Sequence, residues 1–288
     1  MSDIAGLVIP WYDVHARDLP WRGSHVSDWG VLVSEVMLQQ TPVTRVLPAY
    51  TAWMRRWPAP AALAAASPGD AVREWGRLGY PRRALRLHAA ACVIVDRHDG
   101  RVPADLDALL ALPGVGSYTA RAVASFAFGQ RHAVVDTNVR RVVARAVDGV
   151  ATAGPPAAAG DLRALDPWIP AERGRAAVFA VAMMELGALV CTARAPRCET
   201  CPLAERCAWR GAGSPAYDGP HRRAQPWAGT DRQARGRLMA VLRAADGPVP
   251  ASRLAAEWEE PVQVARALDG LVADGLVQRT GAGFALPG

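Results

Sequence analysis

The most concentrated chemistry in the sequence is a run of four cysteines. Cys191, Cys198, Cys201 and Cys207 follow the spacing C-x6-C-x2-C-x5-C. Four thiolates this close in sequence can converge on one metal centre, which is either a zinc ion or an iron–sulfur cluster. Zinc sites usually combine two short C-x2-C knuckles, and this run has one, so the spacing favours a [4Fe–4S] cluster. Cys92 stands alone in an apolar run and is interpreted as a small buried hydrophobic residue.

Two carboxylates lie in sequence contexts that could support acid–base chemistry. Glu35 falls inside the apolar segment WGVLVSEVMLQQTPVTRV. It is either solvated at a helix edge, which its position alone favours, or held in a cleft where burial would raise its pKa and make it a proton donor. Asp136 follows an apolar run and precedes a predicted helix, so it is either an ordinary N-cap or a functional carboxylate. The next helix adds positive charge through Arg140, Arg141 and Arg145.

The segment LPGVGSYTA, residues 112–120, predicts two helices joined by a tight glycine turn. Gly114 and Gly116 permit positive φ and close approach of the backbone. The amide groups of Gly114, Val115 and Gly116 would then point outward and bind a DNA phosphate at the start of the second helix. This is the helix–hairpin–helix pattern, and the alternative is an ordinary helix–helix turn.

The composition limits which catalytic mechanisms and which binding partners are possible. All 33 basic residues are arginine, so no side-chain amine is available for Schiff-base catalysis. The net charge of +6 and the pI near 9.5 fit a nucleic-acid partner. No apolar stretch is long enough to span a membrane, and the N-terminal residues lack the features of a secretory signal. We therefore expect a cytoplasmic protein with no membrane partner.

The elements that must position these residues are mainly helical. Residues 1–210 carry apolar residues at helical spacing, interrupted by Pro and Gly clusters. The predicted helices cover residues 3–15, 28–40, 43–56, 69–77, 82–98, 105–111, 117–127, 138–147, 159–166 and 173–189.

The C-terminal part of the sequence reads as a separate small unit. Residues 211–228 are rich in Gly, Pro and Arg and predict a linker. Residues 229–288 predict three helices and a terminal β-hairpin, which resembles a winged helix. Such a unit either places a helix on DNA or serves as a packing or protein-contact module. Because basic residues cluster at 232–243, with Arg222 and Arg223 upstream, we expect this stretch to add phosphate contacts and to steady the chain on the side of the opposite base.

Together these motifs resemble the helix–hairpin–helix DNA glycosylase superfamily, and within it the MutY-type adenine DNA glycosylases of the actinobacterial kind. The resemblance covers residues 5 to about 210, and SEVMLQQT and the cysteine spacing are its most specific parts. The matching segments are PWR (20–22), SEVMLQQT (34–41), WGRLGY (75–80), LPGVGSYTA (112–120), VVDTNVRRV (134–142), MMELGA (183–188) and the cysteine run.

The resemblance implies a helical barrel and a [4Fe–4S] lobe on residues 191–207, with the active site in the cleft between them. It also implies a monofunctional enzyme of base excision repair that removes adenine opposite 8-oxoguanine or guanine in double-stranded DNA. Glu35 is implied as the acid that protonates the adenine, and Asp136 as the carboxylate that stabilises the oxocarbenium-like sugar. Tyr118 and Asn138 match positions that hydrogen-bond this pair. We expect a monomer in the cytoplasm, associated with the nucleoid.

The resemblance further assigns residues that contact the flipped adenine and the base opposite it. The residues that match the adenine pocket are Trp21, Arg22, Leu38 and Glu185. Gln40 and Tyr80 match residues that wedge into the base stack, and Thr41 and Leu78 match others near the opposite base.

Two features depart from the family pattern. Pro81 stands where the family often has a second tyrosine after Tyr80, and proline fixes φ and removes a hydrogen-bond donor. We also find no NUDIX-like domain after residue 228, although many members use one to read 8-oxoguanine.

Two other function classes stay open at this point. One is an endonuclease III-like glycosylase/lyase acting on oxidised pyrimidines, whose catalytic lysine would stand at Tyr118. The other is a DNA-binding protein that kept the scaffold without catalysis. The missing lysine argues against the first, and the presence of both carboxylates argues against the second.

Overall fold

A computed structural model describes residues 3–23, 25–156, 158–219 and 227–288. The mainly helical class predicted from the sequence is confirmed. Part of the predicted linker, including Arg222 and Arg223, lies outside the described residues. Among the described helices, none combines the length and apolar character needed to cross a membrane.

The helices up to residue 211 follow the predicted segments closely. They are α1 (Ala5–His15), α2 (Asp28–Leu38), α3 (Val43–Arg56), α4 (Pro60–Ala64), α5 (Pro68–Trp75), α6 (Arg82–Arg97), α7 (Leu106–Leu110), α8 (Ser117–Phe126), α9 (Thr137–Ala146), α10 (Ala158–Leu165), α11 (Arg173–Leu189) and α12 (Ala208–Gly211). The sequence did not predict α4 or α12, because such short helices do not complete enough turns to show a helical period.

The C-terminal residues form the elements that the sequence predicts. These are α13 (Asp231–Ala244), α14 (Ala251–Ala255), α15 (Pro261–Ala273), β1 (Gln278–Thr280) and β2 (Gly283–Ala285). The strands pair antiparallel with Arg279 opposite Phe284, and Val249 bridges to Phe284 on its other side.

The chain divides into two compact units. The first comprises Met1–Leu32, Ala104–Ala111 and Val115–Pro220, and the second comprises Val33–Pro103, Leu112–Gly114 and His221–Gly288. In the first unit, α1, α9 and α11 pack around a core that includes Val8, Phe179 and Met183, all fully buried.

A close helix crossing in the first unit depends on one glycine. A Cβ atom on Gly187 of α11 would meet the Asn138 Cβ at 2.7 Å and its carbonyl oxygen at 2.8 Å. Only glycine allows α9 and α11 to approach this closely, and the approach fixes where α9 begins.

In the second unit, α4 and α5 pack on α6 beside a cluster of tryptophans. Trp53 makes edge contacts with Trp57 and Trp75, at centroid distances of 4.6 and 5.6 Å. The C-terminal elements belong to this unit and pack on α5. Arg73 of α5 donates to the carbonyl oxygens of Arg243 and Ala245, and Arg243 donates back to the Val72 carbonyl oxygen.

Candidate functional site

Asp136 caps α9 in the first unit. Its Oδ1 accepts hydrogen bonds from the backbone amides of Asn138 at 2.9 Å and Val139 at 2.7 Å, while its Oδ2 accepts from Asn138 Nδ2 at 2.8 Å. The N-cap interpretation of this residue is therefore confirmed. Burial raises the pKa of the carboxyl group above its usual value, and the hydrogen bonds from Val139 and Asn138 oppose that rise.

Asn138 connects the carboxylate to the cysteine loop through Arg141. Arg141 Nη2 donates to Asn138 Oδ1 at 2.8 Å and to the Gly187 carbonyl oxygen, and its Nε donates to the Cys191 carbonyl oxygen at 2.6 Å. The same guanidinium thus holds the start of α9, the end of α11 and the first cysteine of the run.

The neighbouring arginines of α9 also make internal hydrogen bonds. Arg140 pairs with Asp161 at 2.9 Å, and Arg145 donates to the carbonyl oxygens of Ala151, Thr192 and Ala193. The sequence suggested that these side chains only add positive charge. Their burial instead requires that their donors be used inside the protein, because unpaired buried charges are costly.

The four cysteines lie in one short region of the first unit, all half-buried and none in a disulfide. Burial, reinforced by the charges of Cys191, Cys207 and Cys198, raises the pKa of the Cys201 thiol to about 11. Arg145 Nη1 approaches the Cys191 sulfur at 3.4 Å. A donor set of four neighbouring free thiols fits an iron–sulfur cluster, whose binding drives thiol deprotonation. No group of three or more His, Cys, Asp or Glu side chains in the described residues is arranged to hold a single metal ion.

Glu185 is fully buried on α11 and carries two ion pairs. Arg17 donates to it from Nε and Nη2, both at 2.7 Å, and from its backbone amide at 3.0 Å. Arg22 Nη2 donates at 2.9 Å. Burial alone would raise the pKa of Glu185, but the hydrogen bonds from Arg17 and Arg22 outweigh it and lower the pKa to about 2. Glu185 is therefore ionised at neutral pH and cannot serve there as a proton donor.

Two further predicted site residues of the first unit are Trp21, from the adenine pocket, and Tyr118, from the catalytic set. Trp21 is buried. The guanidinium of Arg22 also lies 5.9 Å from the centroid of the Tyr12 ring. Tyr118 lies at the start of α8, and its hydroxyl approaches the Met184 sulfur at 3.9 Å.

Glu35 lies in α2 and is 4% exposed. The solvated position that the sequence alone favoured is therefore wrong. The neighbouring helix residues Leu32, Val36 and Met37 are also buried, so the carboxyl group stands on an apolar helix without bulk water around it.

The second unit holds the residues that match the opposite-base site, and a buried arginine links them. Arg83 Nη1 donates to the carbonyl oxygens of Val36, Met37 and Gln39, while its Nη2 donates to Thr41 Oγ1 at 3.0 Å and the Gly79 carbonyl oxygen at 3.1 Å. Burial lowers the pKa of Arg83 to about 10, which keeps it charged at neutral pH. Arg83 therefore fixes the end of α2 against the turn before α6.

Gln40 and Tyr80 both adopt the left-handed backbone region, with φ of 54° and 46°. This region is uncommon for residues other than glycine, and strain of this kind often marks functional positions. Pro81, the departure from the family pattern, follows Tyr80 and is the N-cap residue of α6 with φ of −62°. The Tyr80 ring is half-exposed. Thr41 and Leu78 are buried and support this surface, while Leu38 is half-buried.

The two glycines of the turn differ in the sign of the backbone angle φ. Gly114 has φ of 79°, and a Cβ there would meet the Arg86 Cβ at 2.7 Å, so glycine is required. Gly116 has φ of −94° and caps α8, so of the two glycines only Gly114 uses the positive φ that both permit. No atom lies within 4 Å of where its Cβ would be, which leaves space for a ligand at the helix start. Val115 is buried.

Sequence reasoning missed two arginines that hydrogen-bond residues of the candidate site. Arg17 lies outside every motif and reaches Glu185 only through the packing of α1 and α11. Arg83 follows the WGRLGY segment as one of two adjacent arginines, and nothing in the sequence distinguishes it from Arg82.

We expect Asn138→Ala to move the acid limb of the single-turnover pH profile to higher pH. The reaction needs ionised Asp136, so the rate falls as pH drops through the Asp136 pKa. Removing the Asn138 amide removes a hydrogen bond that lowers this pKa, so the pKa rises, by about one unit at most.

The matched control for Asn138→Ala is Gln130→Ala, which removes an exposed amide that donates to the Ala104 carbonyl oxygen in the same unit. Its acid limb should coincide with that of the wild type. An unchanged acid limb in Asn138→Ala would contradict the assignment of that limb to Asp136.

Comparisons with known proteins agree with these motifs. The family model of the HhH-GPD superfamily of base excision DNA repair proteins matches residues 33–153. The model of the iron–sulfur binding domain of endonuclease III matches residues 191–207, which confirms the predicted [4Fe–4S] cofactor. All four cysteines of the run lie within the matched range.

Relatives of the whole chain are also known. The chain is 58% identical to an adenine DNA glycosylase of Mycobacterium tuberculosis over 98% of this chain and 92% of the relative. It is 55% identical to an adenine DNA glycosylase of Mycolicibacterium smegmatis, over 98% and 95%. A solved thermostable thymine-DNA glycosylase superposes with a TM-score of 0.65 at 26% identity, covering 72% of this chain and 95% of that one. The chain therefore belongs to the adenine DNA glycosylase family of the base excision repair enzymes.

Proposed function

We propose that this protein excises adenine from double-stranded DNA where adenine lies opposite 8-oxoguanine or guanine. The observation that carries this proposal is the 58% identity to an adenine DNA glycosylase over nearly the full length of both chains. The absence of lysine supports a monofunctional glycosylase, because the lyase reaction of a bifunctional enzyme needs an amine to attack the sugar.

Two carboxylates are assigned to two different parts of the reaction. Cleavage of the glycosidic bond needs an acid at the base and an anion beside the oxocarbenium-like sugar. Glu35 is assigned as the acid because SEVMLQQT matches the family motif that carries it, and its side chain is shielded from bulk water, at 4% exposure. Asp136 is assigned as the anion because three hydrogen bonds and Arg141 support its charge despite burial. Asn138 orients Asp136, and Tyr118 completes the set of residues assigned to the reaction.

The flipped adenine is assigned to Trp21, Arg22, Leu38 and Glu185. Glu185 holds the guanidinium of Arg22 in place, and Arg22 is assigned to hydrogen-bond an acceptor on the base. The backbone at Gly114, Val115 and Gly116 is assigned to a phosphate of the flipped strand. Gln40, Thr41, Leu78 and Tyr80 are assigned to the opposite base.

Cys191, Cys198, Cys201 and Cys207 would hold the cluster, which when bound cross-links residues 191–207 through thiolate ligation. Arg141 and Arg145 tie this loop to α9, whose N-terminus carries Asp136. We infer that the protein acts as a monomer in the cytoplasm, in association with the nucleoid, since its proposed substrate is chromosomal DNA.

The test is single-turnover cleavage of duplexes with adenine opposite 8-oxoguanine, guanine or thymine, together with borohydride trapping on oxidised-pyrimidine duplexes. We expect excision of adenine opposite 8-oxoguanine and guanine, and no trapped covalent complex. A trapped complex with an oxidised pyrimidine would support the endonuclease III-like alternative. DNA binding without excision of any base would indicate a scaffold that has lost catalysis.

A further inference from the structure

An exposed array of aromatic rings and guanidinium groups surrounds Tyr80 in the second unit. Tyr80 is 50% exposed and Trp227 is 54% exposed. The guanidinium of Arg232 lies 5.4 Å from the centroid of each of these rings. The guanidinium of Arg83 lies 5.6 Å from the Tyr80 centroid. We call Tyr80, Arg232 and Trp227 the cation–aromatic stack.

The stack joins residues that are far apart in sequence and is held by local hydrogen bonds. Thr230 caps α13, and its hydroxyl donates to the Trp227 carbonyl oxygen at 2.8 Å, which fixes Trp227 beside the first turn of that helix. Arg232 lies in that first turn. Trp227 and Arg232 are thus placed together by the start of α13 before any ligand binds.

A second set of contacts fixes α13 and α15 against the start of α6, which directly follows Tyr80. Asp274 pairs with Arg82 of α6 at 3.3 Å and also with Arg235 of α13. Arg73 of α5 and Arg243 of α13 also hydrogen-bond across the two helices. Together these contacts hold the C-terminal elements and the Tyr80 turn in one arrangement. Arg243 and Arg235 therefore serve this packing, and Arg232 is the arginine of α13 that meets the Tyr80 ring.

The chemistry of the stack fits a planar base more closely than a phosphate. Aromatic faces and arginine planes bind unstacked bases by stacking and cation–π attraction. Arg232 makes ring contacts but no ion pair among the described residues, so its N–H edge can reach a carbonyl oxygen or ring nitrogen of a purine. The left-handed backbone at Tyr80 is the kind of strain that persists at binding sites.

We propose that Arg232, held by Trp227 against Tyr80, is a specificity-determining residue that contacts the base opposite the target adenine. This inference rests on the proposed function, because it takes the Tyr80 turn to be the opposite-base site. The C-terminal elements then supply part of the reading surface for 8-oxoguanine. This goes beyond the expectation that residues 232–243 add phosphate contacts and steady the chain on the side of the opposite base, because it names one residue that contacts the base itself.

The test uses the full-length protein with three substitutions: Arg232→Ala, Arg232→Lys and the control Arg253→Ala. Arg253 is an exposed arginine on α14 that pairs with Glu257, which is not a member of the stack. Lysine keeps the charge of Arg232 but lacks its planar face. Each variant is measured for binding to duplexes with adenine opposite 8-oxoguanine and opposite thymine, and for single-turnover excision at saturating enzyme.

We expect Arg232→Ala and Arg232→Lys to lower the binding preference for 8-oxoguanine over thymine by about tenfold. The excision rate at saturating enzyme, the salt dependence of binding and the unfolding midpoint should stay at wild-type values, and Arg253→Ala should match the wild type throughout. An unchanged preference in Arg232→Ala would overturn the proposal. So would wild-type behaviour of Arg232→Lys, or a fall of about 0.9 in the salt slope, since both indicate a phosphate contact.

The experiment distinguishes a failure of the Arg232 proposal from a failure of the proposed function. If the wild-type protein excises adenine and Arg232→Ala keeps its preference, only the role of Arg232 fails. If the wild-type protein excises no adenine opposite any base, the proposed function fails first.

Discussion

Glu35→Gln and Asp136→Asn should each abolish adenine excision while leaving DNA affinity close to that of the wild type. Both carboxylates are assigned to the transition state, and neither is assigned to the phosphate backbone. Loss of general acid help alone reduces the rate by about 10²–10⁴-fold. The measurement is single-turnover cleavage of adenine opposite 8-oxoguanine, with binding to the same duplex measured in parallel.

Both substitutions are chosen to preserve the fold. Asparagine caps helices about as well as aspartate, so Asp136→Asn keeps an acceptor for the amides of Asn138 and Val139. Glutamine has nearly the same volume as the buried Glu35 side chain. The controls are Asp166→Asn and Glu74→Gln, which alter surface ion pairs with Arg131 and Arg56.

The controls should keep wild-type rates, because exposed ion pairs contribute little to stability. A near-wild-type excision rate in either Glu35→Gln or Asp136→Asn would show that the corresponding role is assigned to the wrong residue. Loss of DNA binding together with excision would indicate a structural role instead.

Cys198→Ser should remove the iron and destabilise the first unit. The purified wild-type protein is expected to be brown and to contain about four iron atoms per chain. Without the cluster, residues 191–207 lose their cross-link, and the carbonyl oxygens that pair with Arg141 and Arg145 lose their fixed positions. Iron analysis, visible absorbance and the thermal unfolding midpoint check this expectation.

Cys92→Ser is the matched control, because Cys92 is also a half-buried free thiol but lies outside the run of four. Its iron content and colour should equal those of the wild type. Stoichiometric zinc with no iron in anaerobically prepared wild-type protein would contradict the cluster assignment, as would full iron content in Cys198→Ser.

The sequence by itself determined the helices, the cofactor and the family. Most helices begin and end within two residues of the predicted bounds, because Pro, Gly and capping residues act through the local backbone. The cysteine spacing indicated the cluster because ligands close in sequence need little tertiary structure to converge. Asp136 was recognised as a helix cap for the same reason, since its hydrogen-bond partners are two and three residues away.

Only the tertiary structure decided which polar groups are buried and which pairs meet across the sequence. The sequence alone favoured a solvated Glu35, because the exposure of one helix face depends on what packs against it. The pair of Arg17 with Glu185, the contacts of Arg83 with α2 and the placement of Arg232 beside Tyr80 join residues separated by 168, about 44 and 152 positions. Such pairs leave no periodic or local signal, because the chain brings them together only when its helices pack.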